Sequence, residues 1–97
     1  MQGRWTRRAQ RRLDRCVGYL ALYSAPAAED ALTHILGDVA MLAEHLLLGH
    51  KGRYIGTREL VLEGGRYIVV YRVRGQVVQI VTIHDARQQW PEDWRTG

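Results

Sequence analysis

The chain has 97 residues, of which 46% are hydrophobic and 25% charged, and this composition is typical of one globular domain. It excludes disorder along the whole chain and predicts a single domain over residues 1–97. The formal net charge of +4 favours acidic partners, namely nucleic acid, an anionic membrane or an acidic peptide. A basic surface that merely contacts solvent is the alternative.

The single cysteine, Cys16, excludes an internal disulfide and fits a reducing cytoplasm. The first residues are charged and lack the apolar segment of a signal peptide. No apolar run approaches the roughly 20 residues that span a bilayer. We therefore expect a soluble, cytoplasmic protein without membrane association.

Helical patterns fill the first half of the sequence. Thr6 can cap a first helix whose apolar stripe is Ala9, Leu13, Cys16, Val17 and Leu20. Ser24 can cap a second helix, Pro26 suits its first turn, and Gly49 is expected to end it. The short connection between the two predicts an antiparallel helical hairpin.

Strand patterns fill the second half. Residues 52–56 are expected to form a loop, and the stretch 58–63 alternates in the manner of a strand. Turn signals at Gly64-Gly65 and Gly75-Gln76 separate two more strands, 66–74 and 77–84. A further edge strand at 4–6 is possible. The predicted class is α+β, with the helical hairpin packed on a three- to four-stranded antiparallel sheet.

The sequence offers little for metal or cofactor chemistry. The four histidines (His34, His45, His50 and His84) include no i, i+4 pair, and the glycines match no phosphate-binding loop. We expect no metal site and no cofactor. Cys16 falls on the apolar stripe, where it is better explained as a small hydrophobic side chain than as a nucleophile.

Two groups of basic residues remain as candidate sites. Arg58, His84 and Arg87 could converge as a metal-free ribonuclease, with His84 as acid or base and the arginines stabilising the phosphorane. The simpler interpretation is that His84 ends a strand and the arginines face solvent. Arginines on the first helix could bind phosphates or an acidic peptide, or could form a solvated face: Arg8, Arg11, Arg12 and Arg15.

Several segments in this order and spacing resemble the RelE/ParE family of toxins from bacterial type II toxin–antitoxin pairs. They are Trp5-Thr-Arg-Arg-Ala9, Gly56-Thr-Arg-Glu-Leu-Val61, Tyr67-Ile-Val-Val-Tyr-Arg-Val73, His84-Asp-Ala-Arg87 and Trp90-Pro91. The resemblance covers nearly the whole chain. It implies the same fold: a helical hairpin followed by an antiparallel sheet.

The resemblance implies one of two activities. The RelE branch cleaves messenger RNA on the ribosome, using basic residues on the strand equivalent to 58–63 and an arginine directly after a tyrosine on the next strand. In this sequence those positions hold Glu59, Val61 and Ile68, which cannot stabilise a phosphorane. This departure resembles the ParE branch, the plasmid-stabilisation type, whose members inhibit DNA gyrase and are not enzymes.

Both branches imply a cognate antitoxin whose C-terminal segment wraps the toxin, and such a segment is often disordered before it binds. We expect that contact on the helical hairpin and sheet edge, with the four first-helix arginines as candidates. Arg87, Trp90 and Trp94 are candidates for contact with gyrase, because arginine and tryptophan often anchor interfaces. Trp90 could equally pack the C-terminal segment against the sheet.

Overall fold

Two helices pack on one face of a five-stranded sheet in the computed structural model, which describes residues 3–90. The α+β class predicted from the sequence is confirmed. Trp94 lies outside the described residues. In chain order the elements are β1 (Gly3–Trp5), α1 (Arg7–Ala21), α2 (Ala25–Glu44), β2 (His50–Lys51), β3 (Arg58–Val61), a 3₁₀ turn (Glu63–Gly65), β4 (Tyr67–Arg74) and β5 (Val77–Asp85).

Both helices begin at the predicted caps. The Thr6 hydroxyl accepts a hydrogen bond from the Ala9 N–H at 3.0 Å and donates one to the carbonyl of Val81 at 2.8 Å. The Ser24 hydroxyl accepts from the Ala27 N–H at 3.2 Å. Each cap satisfies a backbone donor that a helix leaves free in its first turn, and Thr6 also ties α1 to β5.

The predicted end of the second helix was wrong. α2 ends at Glu44, five residues before Gly49. The Tyr71 hydroxyl explains the early end, since it donates to the carbonyl of Leu46 at 3.0 Å and accepts from the Gly49 N–H at 2.8 Å. Gly49 serves close packing instead, because a Cβ there would lie 2.5 Å from the carbonyl oxygen of Glu59.

The sheet differs from the prediction in two details. Its order is β1-β5-β4-β3-β2, so it has five strands where three to four were expected. It is also mixed, because β1 runs parallel to β5 while the other pairs are antiparallel. A helix follows β1 instead of a tight turn, so no hairpin fixes its direction. β2 has two residues, too few to show an alternating pattern.

The core lies between the helices and the inner face of the sheet, the face toward α1 and α2. Its buried members from the helices are Ala9, Ile35, Val39 and Leu42, and those from the strands and the turn after β3 are Leu62, Tyr67, Val69, Tyr71, Val78, Ile80 and Ile83. No described helix is long and apolar enough to span a membrane.

A β-bulge in β5 decides which side chains reach each face. Val70 pairs with Thr82 and Tyr71 with Ile80, which leaves Val81 without a partner. One extra residue reverses the alternation beyond it. As a result His84, four residues after the inward-facing Ile80, lies on the outer face of the sheet, and Asp85 lies on the helix side.

Candidate functional site

The outer face of the sheet, turned away from the helices, carries a compact group of polar and aromatic side chains. We call it the outer cluster, and it consists of His50, Arg53, Glu59, His84 and Trp90. Its strand members come from β2, β3 and β5, while Arg53 lies in the loop before β3 and Trp90 follows β5. Val70 and Val81 form an apolar base, against which Tyr54 and Trp90 pack.

Glu59 is the charged centre of the outer cluster and is 3% exposed. Its Oε2 accepts from the backbone N–H of Arg53 at 2.9 Å and from Arg53 Nε at 3.2 Å. Its Oε1 lies 3.6 Å from His50 Nε2. A buried carboxylate is tolerable only when it is paired and hydrogen-bonded, and here the loop before β3 supplies both. The cluster thus neutralises its own negative charge.

Trp90 covers His84. The two rings stack with centroids 3.8 Å apart and planes 16° apart, and the Arg53 guanidinium lies 3.6 Å from the Trp90 ring centroid. Because two groups this close to one centroid cannot share a side, Trp90 lies between Arg53 and His84. The resulting stack closes the outer face over the histidine.

The tautomer and the protonation state of His84 are set by its surroundings. Its Nε2 lies 2.9 Å from the carbonyl oxygen of Gln88, so Nε2 carries the hydrogen and donates. Its Nδ1 is buried and has no hydrogen-bond partner among the described residues. Burial lowers the pKa of His84, opposed by the bond to Gln88 and reinforced by the charges of Arg12 and Arg53. The ring is therefore neutral near pH 7, and its basic nitrogen does not reach solvent.

The three ribonuclease candidates do not lie together. Arg58 bonds to the carbonyl of Gly49 through Nε at 3.0 Å and Nη2 at 2.7 Å, on the inner side of the sheet. Arg87 forms a fork with Asp85, with Nε–Oδ1 at 3.2 Å and Nη2–Oδ2 at 3.0 Å. Of these three residues, only His84 belongs to the outer cluster. The structure thus separates the base from both cations that a phosphorane would need.

A recess on the helix side brings other basic residues together. We call it the basic recess; it has a volume of about 410 Å³, lies between α1 and the paired ends of β4 and β5, and is lined mainly by Arg12, Arg15, Arg66, Tyr67, Asp85 and Arg87. Of the four arginines predicted to bind an antitoxin, Arg12 and Arg15 line it, while Arg8 and Arg11 do not.

Asp85 is the only acidic side chain that lines this recess among residues 3–90. Its hydrogen bonds from the Arg87 side chain and backbone, at 2.9 to 3.2 Å, hold the pKa of this carboxyl below its usual range. Burial raises the pKa of the Cys16 thiol in the same wall, so the thiol carries no charge near neutrality. The recess therefore has an excess of positive charge.

Sequence reasoning missed several residues of both sites. Arg53 lies in a stretch expected to be only a loop, and Glu59 was noted only as a departure from the ribonuclease pattern. Arg66 and Asp85 were not singled out. The pairing of Tyr67 with Asp85 places the start of β4 beside the end of β5. This hairpin register was the signal that could have indicated that Arg66 and Asp85 lie close together.

No metal site is evident in the described part of the chain. Within residues 3–90, no three His, Cys, Asp or Glu side chains are grouped so that they could hold a metal ion. Glu59 and His50 are neighbours, but the other carboxylate oxygen of Glu59 is already bound by Arg53.

Comparison with known proteins places this arrangement in a family. The model of the ParE toxin of type II toxin–antitoxin system, parDE, matches residues 4–90. The chain belongs to the ParE toxin family. The family resemblance predicted from the sequence is thereby confirmed, as is its assignment to the ParE branch.

Two individual proteins agree with the family assignment. A Sinorhizobium fredii protein described as "Putative toxin Y4kP" is 43% identical over 89 residues, which are 92% of this chain and 92% of that protein. A solved structure, described as the chromosomal ParDE TA system from P. aeruginosa, superposes with a TM-score of 0.77 at 28% identity. That match covers 88% of this chain and 95% of the other. The chain is thus the toxin of a ParDE type II toxin–antitoxin system.

Proposed function

We propose that this ParE-family toxin arrests growth by inhibiting DNA gyrase and that a cognate antitoxin neutralises it. The observation that carries the choice of target is the outer cluster. At the position where the ribonuclease branch needs a cation, this chain has the buried carboxylate of Glu59, already paired with Arg53. A negative charge there would oppose the charge that develops on a phosphorane.

The geometry around His84 supports the same choice. A general base must reach the 2′-hydroxyl of its substrate within hydrogen-bonding distance. Trp90 stacks on the His84 ring, and the free nitrogen Nδ1 is buried. Arg58 and Arg87 each bind a different part of the chain. Ribosome-dependent cleavage of messenger RNA is therefore the second candidate, and it requires Trp90 to move away first.

Neutralisation by an antitoxin is supported by the charge of the helical hairpin. Arg11 and Arg15 are exposed on α1, and Arg12 reaches the end of β5 through a bond from Nε to the carbonyl of Ile83 at 3.3 Å. An acidic, flexible segment suits such a surface.

Arg87, Trp90 and Trp94 remain our predicted contacts with gyrase. We place the protein in the cytoplasm, where its proposed target acts.

The direct test is induced expression of the chain without an antitoxin, scoring growth, DNA breaks and messenger RNA integrity in the same cultures. We expect growth arrest with DNA breaks and intact RNA, and His84→Ala should remain toxic. Rapid loss of ribosome-bound messages would contradict the proposal. In that case His84→Ala and Arg87→Ala should both abolish toxicity.

A further inference from the structure

The basic recess has more positive charge than its surroundings neutralise. In the described part of the chain, four arginines and one aspartate line it. Asp85 is already committed to Arg87, which holds both carboxylate oxygens. Neither Arg15 nor Arg66 forms an ion pair within residues 3–90. Like charges that converge without a counter-charge raise the free energy of the empty site, so an anion would be stabilised there.

Two polar groups in the recess wall also lack partners. Tyr67 is 6% exposed, and neither its hydroxyl nor Arg66 Nε has a hydrogen-bond partner of good geometry in the described chain. Buried donors without acceptors cost free energy. The Arg66 guanidinium lies 5.2 Å from the Tyr67 ring centroid and both residues line the recess, so one bound acceptor could take hydrogen bonds from both.

Exposed apolar side chains adjoin the recess. Tyr19 lines its rim, is 50% exposed, and makes an edge-to-face contact with Tyr23 at a centroid distance of 5.3 Å. Leu22 and Tyr23, at the end of α1, are 80% and 75% exposed. Clustered exposed apolar side chains mark a protein-binding surface. Leu22 cannot stack on a nucleobase, so the patch favours a peptide over a nucleic acid.

We propose that the basic recess binds one aspartate or glutamate side chain of a protein partner, with a neighbouring apolar residue of that partner against Tyr19, Leu22 and Tyr23. The proposal rests on the proposed neutralisation by a protein and names its anchoring point. Of the first-helix arginines, Arg12 and Arg15 would bind this carboxylate, with Arg66 as a third cation. Convergent guanidinium groups suit one carboxylate better than an extended row of phosphates.

The test uses the full chain labelled with ¹⁵N and follows the arginine Nε–Hε signals at low ionic strength. The probe is an acetylated tetrapeptide amide with one glutamate among leucines; the matched control peptide has glutamine instead. We expect saturable shifts of the Arg12, Arg15 and Arg66 signals and none for Arg7, with binding about tenfold weaker for the glutamine peptide.

Variants locate the binding on the recess. Arg15→Gln should weaken binding of the glutamate peptide about fivefold to tenfold, whereas Arg7→Gln, an exposed change elsewhere on α1, should not. Tyr67→Phe should weaken it about threefold, because its ring and packing remain while one donor is lost. Circular dichroism of each variant verifies folding, and Tyr67→Phe keeps the test informative if an arginine variant is poorly folded.

Three results would overturn the inference: no shift at saturating peptide, equal affinity for the two peptides, or tighter binding of inorganic phosphate than of the glutamate peptide. The last would indicate a phosphate site. Growth arrest by the chain expressed alone is scored separately. Toxicity without peptide binding would remove only this inference, whereas specific peptide binding without toxicity would remove the proposed function and leave the site.

Discussion

The outer cluster and the basic recess lie on opposite faces of the same sheet, and they differ in how far their charges are paired. In the cluster, the carboxylate of Glu59 is satisfied by Arg53 and approached by His50, and Trp90 closes the surface. Among the described residues that line the recess there are four arginines and one aspartate, and that aspartate, Asp85, is bound by Arg87. The carboxylate of the cluster is paired, whereas Arg12, Arg15 and Arg66 in the recess form no ion pair within residues 3–90. This contrast separates stabilising charges from charges available to a partner.

The largest expected effect comes from removing the cover of the cluster. Trp90→Ala should lower the free energy of unfolding by about 2–3 kcal/mol, since large aromatic truncations in well-packed sites cost this much or more. Urea denaturation measures the loss. The Trp90→Ala substitution should also return the pKa of His84 toward its ordinary value, which an NMR titration of the ring would detect. An unchanged titration would contradict the covering role of Trp90.

The pairing inside the cluster should have the next largest effect. Arg53→Ala should destabilise the fold by about 2 kcal/mol, less than the roughly 3–5 kcal/mol for a fully buried pair, because Arg53 is 45% exposed. Adding Glu59→Gln should recover part of the loss by removing the unpaired charge. If the double variant is less stable than Arg53→Ala alone, the carboxylate is not held mainly by Arg53.

Two buried tyrosines on β4 provide a matched pair. Tyr71 bonds to Leu46 and Gly49 through its hydroxyl, whereas the Tyr67 hydroxyl has no hydrogen-bond partner of good geometry among the described residues. Tyr71→Phe should cost about 1–3 kcal/mol because it leaves a buried donor and acceptor unpaired, and Tyr67→Phe should be close to neutral. Thermal unfolding of both variants checks this. Equal losses would mean that the Tyr67 hydroxyl has a partner after all.

The smallest effect expected is on the pH dependence of stability. The pKa of His84 is lowered in the fold from the ordinary value of 6.5. Below that value the unfolded chain takes up a proton that the folded chain does not, so stability should fall as the pH decreases through 6.5. His84→Gln should flatten this slope in unfolding experiments between about pH 7 and 5, and an unchanged slope would contradict the lowered pKa of His84.

Much of the fold could be predicted from sequence because its signals are local. Thr6 and Ser24 are caps that act within three residues, and the turn at Gly75, with φ of 62°, needs a residue without a side chain. The end of α2 could not be predicted, since Tyr71, 25 residues beyond Leu46, sets the path of the chain there.

The site was harder to predict because its geometry, like the end of α2, depends on residues far apart in the sequence. Strict alternation along β5 would place His84 on the same face as Ile80, and only the bulge at Val81 turns it outward. The pairing of Glu59 with Arg53 depends on how a loop folds back onto β3. The residues of the ribonuclease hypothesis were visible in the sequence, but their separation onto different faces was not.

The most direct test of the central claim is a DNA supercoiling and cleavage assay with purified gyrase and the purified chain. We predict that the chain blocks supercoiling and accumulates cleaved plasmid, while ribosome-bound messenger RNA incubated with the same preparation remains intact. Unaffected gyrase together with cleavage of the ribosome-bound message would contradict the account.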